Sequence, residues 1–145
     1  MSSYARNSSL AAYRSVSVHG GVDNADPHRL VQMLMDAIAE RLSTARGCIE
    51  RGETARKAKL LHSCVTLVAE LRGSLNHAEG GELAQNLDSL YDYMTRRLLQ
   101  ANVQSDVTIV IEVLGLLNEL RGAWVAIGPE VRQKAAQPAP AARYG

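Results

Sequence analysis

The sequence predicts an all-α protein, an antiparallel up-down four-helix bundle with a mobile N-terminal arm and a disordered C-terminal tail. Apolar residues recur at steps of three and four through four separate segments, which is the period of an amphipathic helix. Only a few residues connect these segments, and short connections force neighbouring helices to run antiparallel. Because the chain has no Phe, its core must be mostly aliphatic, and we expect the five tyrosines at its edges, where the hydroxyl stays hydrated.

The chain divides into three parts. Residues 1–25 are rich in Ser, Ala and Gly, and we expect them to form the mobile arm. Residues 26–128 contain the four helical patterns and form the bundle domain. Residues 129–145 include a Pro/Ala-rich run, "QKAAQPAPAARYG", which predicts a disordered tail. A chain of 145 residues needs only one such domain and one core.

The first two helices have recognisable ends. Asp26 is a good N-cap and Pro27 suits the first helical position, so the first helix begins there and ends at Gly52. The second is predicted from about Thr54 to Asn76. A turn at residues 79–81 follows it.

The third helix covers residues 80–102, "GGELAQNLDSLYDYMTRRLLQAN". On a helical wheel one narrow arc forms the predicted core stripe, made of Leu83, Leu87, Leu90, Met94 and Leu98. Asp88, Asp92 and Arg96 fall on the opposite side, which predicts a solvated face. Asp92 and Arg96 also stand four residues apart in the favourable acid-then-base order.

The fourth helix is predicted from Ser105 or Asp106 to about Ile127. It begins with "DVTIVIEV", whose β-branched and nearly alternating residues are typical of a strand. No other segment offers a convincing partner strand, and the run continues directly into a leucine-rich helical pattern. We therefore expect a helix throughout.

Composition and motifs argue against several classes of function. The net charge of +1 gives no electrostatic footprint for nucleic acid. No His or Cys has zinc-like spacing, and there is no phosphate-binding loop or nucleophile elbow. We therefore predict no enzyme activity, cofactor, metal or small-molecule substrate. Cys48 and Cys64 lie in apolar-periodic segments and are expected to be buried thiols. Without a secretory signal or membrane span, a cytoplasmic location is expected.

Four residues are candidates for a partner-binding surface because of their positions on the wheel: Tyr91, Leu99, Leu116 and Leu120. Tyr91 lies on a shoulder of the third-helix stripe, and Leu99 falls among charged residues. Leu116 and Leu120 lie at one edge of a wide apolar arc on the fourth helix. This edge either completes the core or forms a groove for a partner helix, and the sequence leaves both interpretations open.

Four stretches resemble one known family. The pattern "GGE-A-NL--LY-YM-RRLL-AN" in residues 80–102 is the most specific of them, and "DPHRLVQML", "EVLGLLNELRGAW" and "LAAYRSV" agree with it. Over roughly residues 10 to 127 the chain resembles the flagellar secretion chaperones, the FliS family. It departs from the family pattern at Met35, where an aromatic residue is more usual, and at Ala37, where Gly is more usual.

The resemblance implies a bundle whose client is the disordered C-terminal segment of flagellin, which folds into helices as it wraps the chaperone. It also implies transient contact with the flagellar export gate. The family's arm covers the client groove when no client is bound, and its tyrosine matters for export docking; these roles map onto Leu10 and Tyr13. The alternatives are a homo-oligomeric structural protein, such as a homodimer, without a flagellin client, and an enzyme or metal-binding bundle.

Overall fold

The computed structural model describes residues 27–126, which form four α-helices. Their bounds are Pro27–Glu50 for α1, Thr54–Gly73 for α2, His77–Gln104 for α3 and Val107–Ala126 for α4. α1 packs against α2 and α4, and α3 packs against the same two helices, so the four close into a ring. The predicted antiparallel four-helix bundle is confirmed. The predicted arm and tail, with Leu10, Tyr13 and Ile127, lie outside the described residues.

The second connection differs from its prediction. α2 ends at Gly73 rather than at Asn76, and Asn76 instead caps α3, its Oδ1 accepting a hydrogen bond from Glu79 N at 3.0 Å. The predicted turn at residues 79–81 is a break inside α3, where Gly81 has φ 49° and ψ −128°. Only Gly adopts such a conformation without strain, so the first turn of α3 points away from the rest of the helix.

The strand-like start of α4 is helical, as predicted. Asp106 Oδ1 accepts a hydrogen bond from Thr108 N at 2.9 Å and so satisfies one of the free N–H groups at this helix end. The β-branched side chains of Ile109, Val110 and Val113 are buried. Burial against the other helices therefore overrides their preference for strands.

A single aliphatic core runs through the bundle. Its largest fully buried side chains are Tyr91, Met35, Ile38, Leu42, Leu61, Leu71, Met94, Leu98, Leu117, Val31, Val68 and Val110. Cys48 and Cys64 are free and buried, as expected, and burial raises the pKa of the Cys64 thiol to about 12. Met35 fills a core position where the resembled family more often has an aromatic side chain.

α3 is rotated relative to the predicted stripe. Its buried residues after the break are Ala84, Tyr91, Met94, Leu98 and Ala101. Leu83 is exposed, and Leu87 and Leu90 are only partly buried. α3 lies between α2 and α4, and its contacts with both neighbours decide which side chains face the centre. The wheel of one helix cannot supply that information.

The ring is closed by contacts between the beginning of α1 and the end of α4. Trp124 Nε1 donates a hydrogen bond to the carbonyl oxygen of His28 at 2.8 Å, and His28 Nε2 donates to the carbonyl oxygen of Trp124 at 2.5 Å. The two rings stack with centroids 4.7 Å apart and planes inclined by 4°. This pair of hydrogen bonds and the stacked rings form a clasp between the first and last helices.

A buried lysine holds the turn between α3 and α4 against α2. The Lys57 side chain is almost fully buried, and its Nζ donates to the carbonyl oxygen of Asn102 and to Ser105 Oγ, both at 2.8 Å. Ser105 adopts the left-handed conformation that ends α3, with φ 48°. One ammonium group thus satisfies a carbonyl at a helix end, where intrahelical donors run out.

Within residues 27–126 no helix has the uninterrupted apolar length that crossing a bilayer would require.

Substituting Lys57 tests the importance of this anchor. We expect Lys57→Met to lower the free energy of unfolding by about 1–3 kcal/mol, because the methionine leaves two acceptors at the turn without their donor. Urea denaturation followed by circular dichroism measures the change. Lys59→Met, at an exposed position on the same helix, should change stability by about 0.5 kcal/mol or less. Equal effects of the two substitutions would contradict the anchor.

Candidate functional site

The acidic side chains of α3 that were expected to face solvent join α3 to α2. Arg72 Nε donates to Asp88 Oδ1 at 2.8 Å, and its Nη1 donates to Asp92 Oδ1 at 3.0 Å. Asp92 Oδ2 also accepts from Arg96 Nε at 2.9 Å, which confirms the predicted pair four residues apart. The bond from Arg72 lowers the pKa of Asp88, and the bond from Arg96 is the largest cause of the lowered pKa of Asp92.

A second polar cluster joins α3 to α4. Tyr93 OH donates to Glu112 Oε2 at 2.6 Å, and Arg97 Nε donates to Glu112 Oε1 at 2.9 Å. These two bonds, that from Tyr93 first, lower the pKa of Glu112, and the same carboxylate raises the pKa of Tyr93. Tyr93 and Arg97 of α3 therefore bind one carboxylate of the neighbouring helix.

The boundary between α1 and α4 carries a third pair and an open groove. Arg121 Nε and Nη2 donate to Asp36 Oδ1 at 3.0 and 2.8 Å, and its Nη1 donates to Asn118 Oδ1 at 2.7 Å. The groove, with a volume of about 480 Å³, is lined by Asp36, Ala39, Glu40, Ser43, Leu114, Asn118 and Arg121. It is shallow and mostly polar, with Ala39 and Leu114 as its apolar members.

These clusters act by connecting helices. In each of them an arginine of one helix binds a carboxylate of the next, so the acids and bases neutralise each other across a boundary. Among residues 27–126 no three metal-ligating side chains come together. Besides these clusters, the surface of residues 27–126 carries exposed large apolar side chains.

The four predicted partner-binding residues differ in how far they are exposed. Tyr91 is only 1% exposed, so its placement on an accessible shoulder was wrong: its ring lies in the core because α3 is rotated. Leu99 is 52% exposed, in agreement with its position among charged residues. Leu116 and Leu120 are partly buried and pack against the core, which is what the core-completing interpretation predicts. Their binding roles stay predictions.

Leu99 and Leu116 also lie at different helix boundaries. Leu99 follows Asp92 by seven residues, so it shares the side of α3 that contacts α2. Leu116 follows Glu112 by four residues, so it shares the side of α4 that contacts α3. The two residues therefore do not line the same helix boundary.

Sequence reasoning missed the exposed apolar residues on the outer side of α4. Ile111 and Val125 are 41% and 49% exposed, although α4 already buries Val110, Val113 and Leu117 in the core. The signal was a second apolar repeat on the same helix. Gly115 and Gly122 interrupt this repeat, which makes it hard to recognise in the sequence.

Comparison with known proteins finds similarity to one family over most of the chain. The family model described as "Flagellar protein FliS" matches residues 9–131. The flagellar secretion chaperone FliSB of Pseudomonas aeruginosa is 42% identical over 118 residues, covering 81% of this chain and 94% of that protein. The flagellar secretion chaperone FliS of Salmonella typhimurium is 41% identical over 124 residues, covering 85% and 92%. That of Vibrio cholerae is 37% identical over 122 residues, covering 84% and 90%.

Substitution of Tyr91 and Leu99 distinguishes core from surface. We expect Tyr91→Ala to lower the free energy of unfolding by about 3–5 kcal/mol, because it leaves a large cavity in the core. Leu99→Ala should cost about 1 kcal/mol or less, since half of that side chain is already in water. Urea denaturation of the two variants gives the comparison, and a smaller loss for Tyr91→Ala than for Leu99→Ala would contradict the placement of α3.

Glu112→Gln tests the pH dependence that the contact between α3 and α4 imposes. Because the folded pKa of Glu112 lies below its ordinary value of 4.5, ionised Glu112 stabilises the fold above that pH. This contribution is lost as the pH falls through the folded pKa. In thermal melts we expect the wild type to be more stable than the variant near neutral pH, and the difference to shrink as the pH falls below the ordinary value of 4.5. A difference that stays constant would contradict the interaction.

Proposed function

The chain belongs to the FliS family of flagellar secretion chaperones, and we propose that it binds the disordered C-terminal segment of flagellin in the cytoplasm. Bound to the chaperone, flagellin cannot polymerise prematurely and is delivered to the flagellar type III export apparatus. The role of the family is that of a chaperone, which binds a client rather than transforming a substrate. The finer parts of this proposal are supported by the distribution of apolar surface on the bundle.

The observation that carries the proposal is the number of large apolar side chains left in water although the core is complete. These are Met33, Leu83, Leu99, Val103, Ile111 and Val125. They come from α1, α3 and α4, so they do not form one compact pocket. A client that wraps around several faces of the bundle would cover them better than a ligand in a single groove.

The physical reason for an extended contact is the entropy of the client. A disordered segment that folds on binding loses conformational freedom, and only a large apolar contact can offset that loss. We infer that the flagellin segment buries on the chaperone the same apolar residues that it would otherwise bury against other flagellin subunits. Polymerisation and chaperone binding then exclude each other without any chemical step.

The arm has a regulatory part in this proposal. The family resemblance implies that the N-terminal arm covers the client surface while no client is bound. In this proposal Leu10 and Tyr13 are the arm residues that cover it, and the client displaces them. Competition of this kind lowers the apparent affinity for the client and shields apolar surface from aggregation. Transient contact with the export gate then follows, with Tyr13 as the docking residue.

Titration with a client peptide tests the proposed function. We expect a synthetic peptide of the flagellin C-terminal segment from the same bacterium to bind with a dissociation constant below the order of tens of micromolar in calorimetry. A scrambled peptide of the same composition is the control. Undetectable binding at that concentration would remove flagellin as the client.

Light scattering with and without the peptide addresses the alternative. A self-associating protein would be a dimer or larger alone and would stay so when the peptide is added. A chaperone whose exposed surface is meant for a client should form a one-to-one complex.

A further inference from the structure

The outer side of α4 is unusual for a bundle helix. Among its 20 residues only Glu112, Glu119 and Arg121 are charged. Glu112 and Arg121 are occupied by ion pairs with α3 and α1, one at each flank of the helix. A helix on the outside of a bundle normally presents a charged face to water, whereas a helix that is apolar all round is normally covered. α4 differs from both cases, because it has one apolar side in the core and also exposes apolar side chains to water on the opposite side.

The second side is a continuous strip, which we call the outer face of α4. Its residues follow one another at steps of four, three, four and three: Ile111, Gly115, Asn118, Gly122 and Val125. This is the spacing with which one helix meets another along a straight seam. Ile111 and Val125 are large, apolar and exposed, and they form the two ends of the strip.

The centre of the outer face can be approached closely. A Cβ atom added to Gly115 or to Gly122 would find no atom within 4 Å. Another helix could therefore come nearer here than it could to a surface of longer side chains. Ile111 and Val125 would then pack at its two ends.

The groove beside the outer face has an excess of negative charge. Asp36 and Glu40 are four residues apart on α1, on the same side of that helix, and both line the groove. Arg121 directs two hydrogen bonds to Asp36 Oδ1 and a third to Asn118 Oδ1. Within residues 27–126 Glu40 forms no salt bridge. Asp36 is therefore neutralised by Arg121 whereas Glu40 is not, which favours a partner that brings a further cation.

We propose that the outer face of α4 and the adjoining groove dock an amphipathic helix, with its apolar ridge on Ile111 and Val125 and a Lys or Arg directed at Asp36 and Glu40. The inference rests on the proposed function and deepens it, because the helix is one that the flagellin C-terminal segment forms on binding. It assigns this part of the client to α4 and α1 rather than to the surface around Leu99.

Two glycine substitutions test the docking face without harming the bundle. Gly115→Gln and Gly122→Gln add a side chain where space is open, and Gln is a better helix former than Gly. We expect thermal midpoints equal to or above that of the wild type. The dissociation constant for the flagellin peptide should rise at least about tenfold, because the added side chain holds the partner helix away.

Gly73→Gln is the matched control. Gly73 also has no atom within 4 Å of an added Cβ, but it lies at the end of α2, which does not flank α4 in the ring. The control should bind the peptide like the wild type. If Gly115→Gln and Gly122→Gln also bind like the wild type, the docking face is overturned and the proposed function stands. If the wild type itself does not bind the peptide, both are overturned.

A charge variant and a chemical probe complete the test. Glu40→Lys should weaken peptide binding at least about threefold at low salt and less at high salt, because the attraction is screened.

Asn118→Cys places a thiol on the outer face, while Cys48 and Cys64 are buried. Peptide should slow its reaction with a small thiol reagent. Unchanged labelling in the bound complex would overturn the assignment, as would labelling that slows with protein concentration alone, which would indicate a second copy of the chain.

Discussion

Burial of one aliphatic stripe from each helix is the interaction on which the rest of the structure depends. The core contains no Phe, and Tyr91 is the one aromatic ring among its largest fully buried side chains in residues 27–126. Small and branched side chains fill the space between the helices, and Lys57 is the one buried Lys, Arg, Asp or Glu among residues 27–126. Three of the ion pairs lie at boundaries between helices. There the arginines Arg72, Arg97 and Arg121 each bind a carboxylate of a neighbouring helix.

These half-buried ion pairs contribute only modestly to the free energy of folding, because water and salt still screen them. Their value lies in geometry. Asp92 on one side of α3 contacts α2, and Arg97 on the other side contacts α4, so only one rotation of α3 satisfies both neighbours. That rotation places Tyr91 in the core and leaves Leu99 in water. The polar contacts and the burial of the apolar stripe thus agree on one rotation of α3, and that rotation leaves Leu99 accessible to a partner.

The outer face of α4 exposes apolar side chains that another helix could cover. α4 buries Val113 and Leu117 on one side and leaves Ile111 and Val125 exposed on the other. A client helix placed there would make α4 an internal element. Exposed apolar area of this kind is a liability for the free protein, because it favours aggregation.

Much of the fold could be predicted because helical periodicity is a local property. The four helices, the buried cysteines and the helical form of the segment from Asp106 all follow from spacing and from the absence of a partner strand. The rotation of α3 could not, since it depends on contacts with two neighbours.

The break at Gly81 and the cap at Asn76 depend on backbone geometry that the residue types permit but do not impose. The outer face of α4 was overlooked for a different reason. Its glycines and Asn118 resemble a polar surface until the exposure of Ile111 and Val125 is known.

The clasp between His28 and Trp124 has a mechanical consequence. The first and last helices begin and end at the same end of the bundle, so the described chain enters and leaves the domain at neighbouring points. Tension applied between those points would not pull the helices along their axes. It would peel α1 from α4, one residue pair at a time, and the stacked rings and their two hydrogen bonds would bear the load first. Behind that pair, the ion pair between Arg121 and Asp36 and the apolar contacts of α1 with α4 would bear the load next.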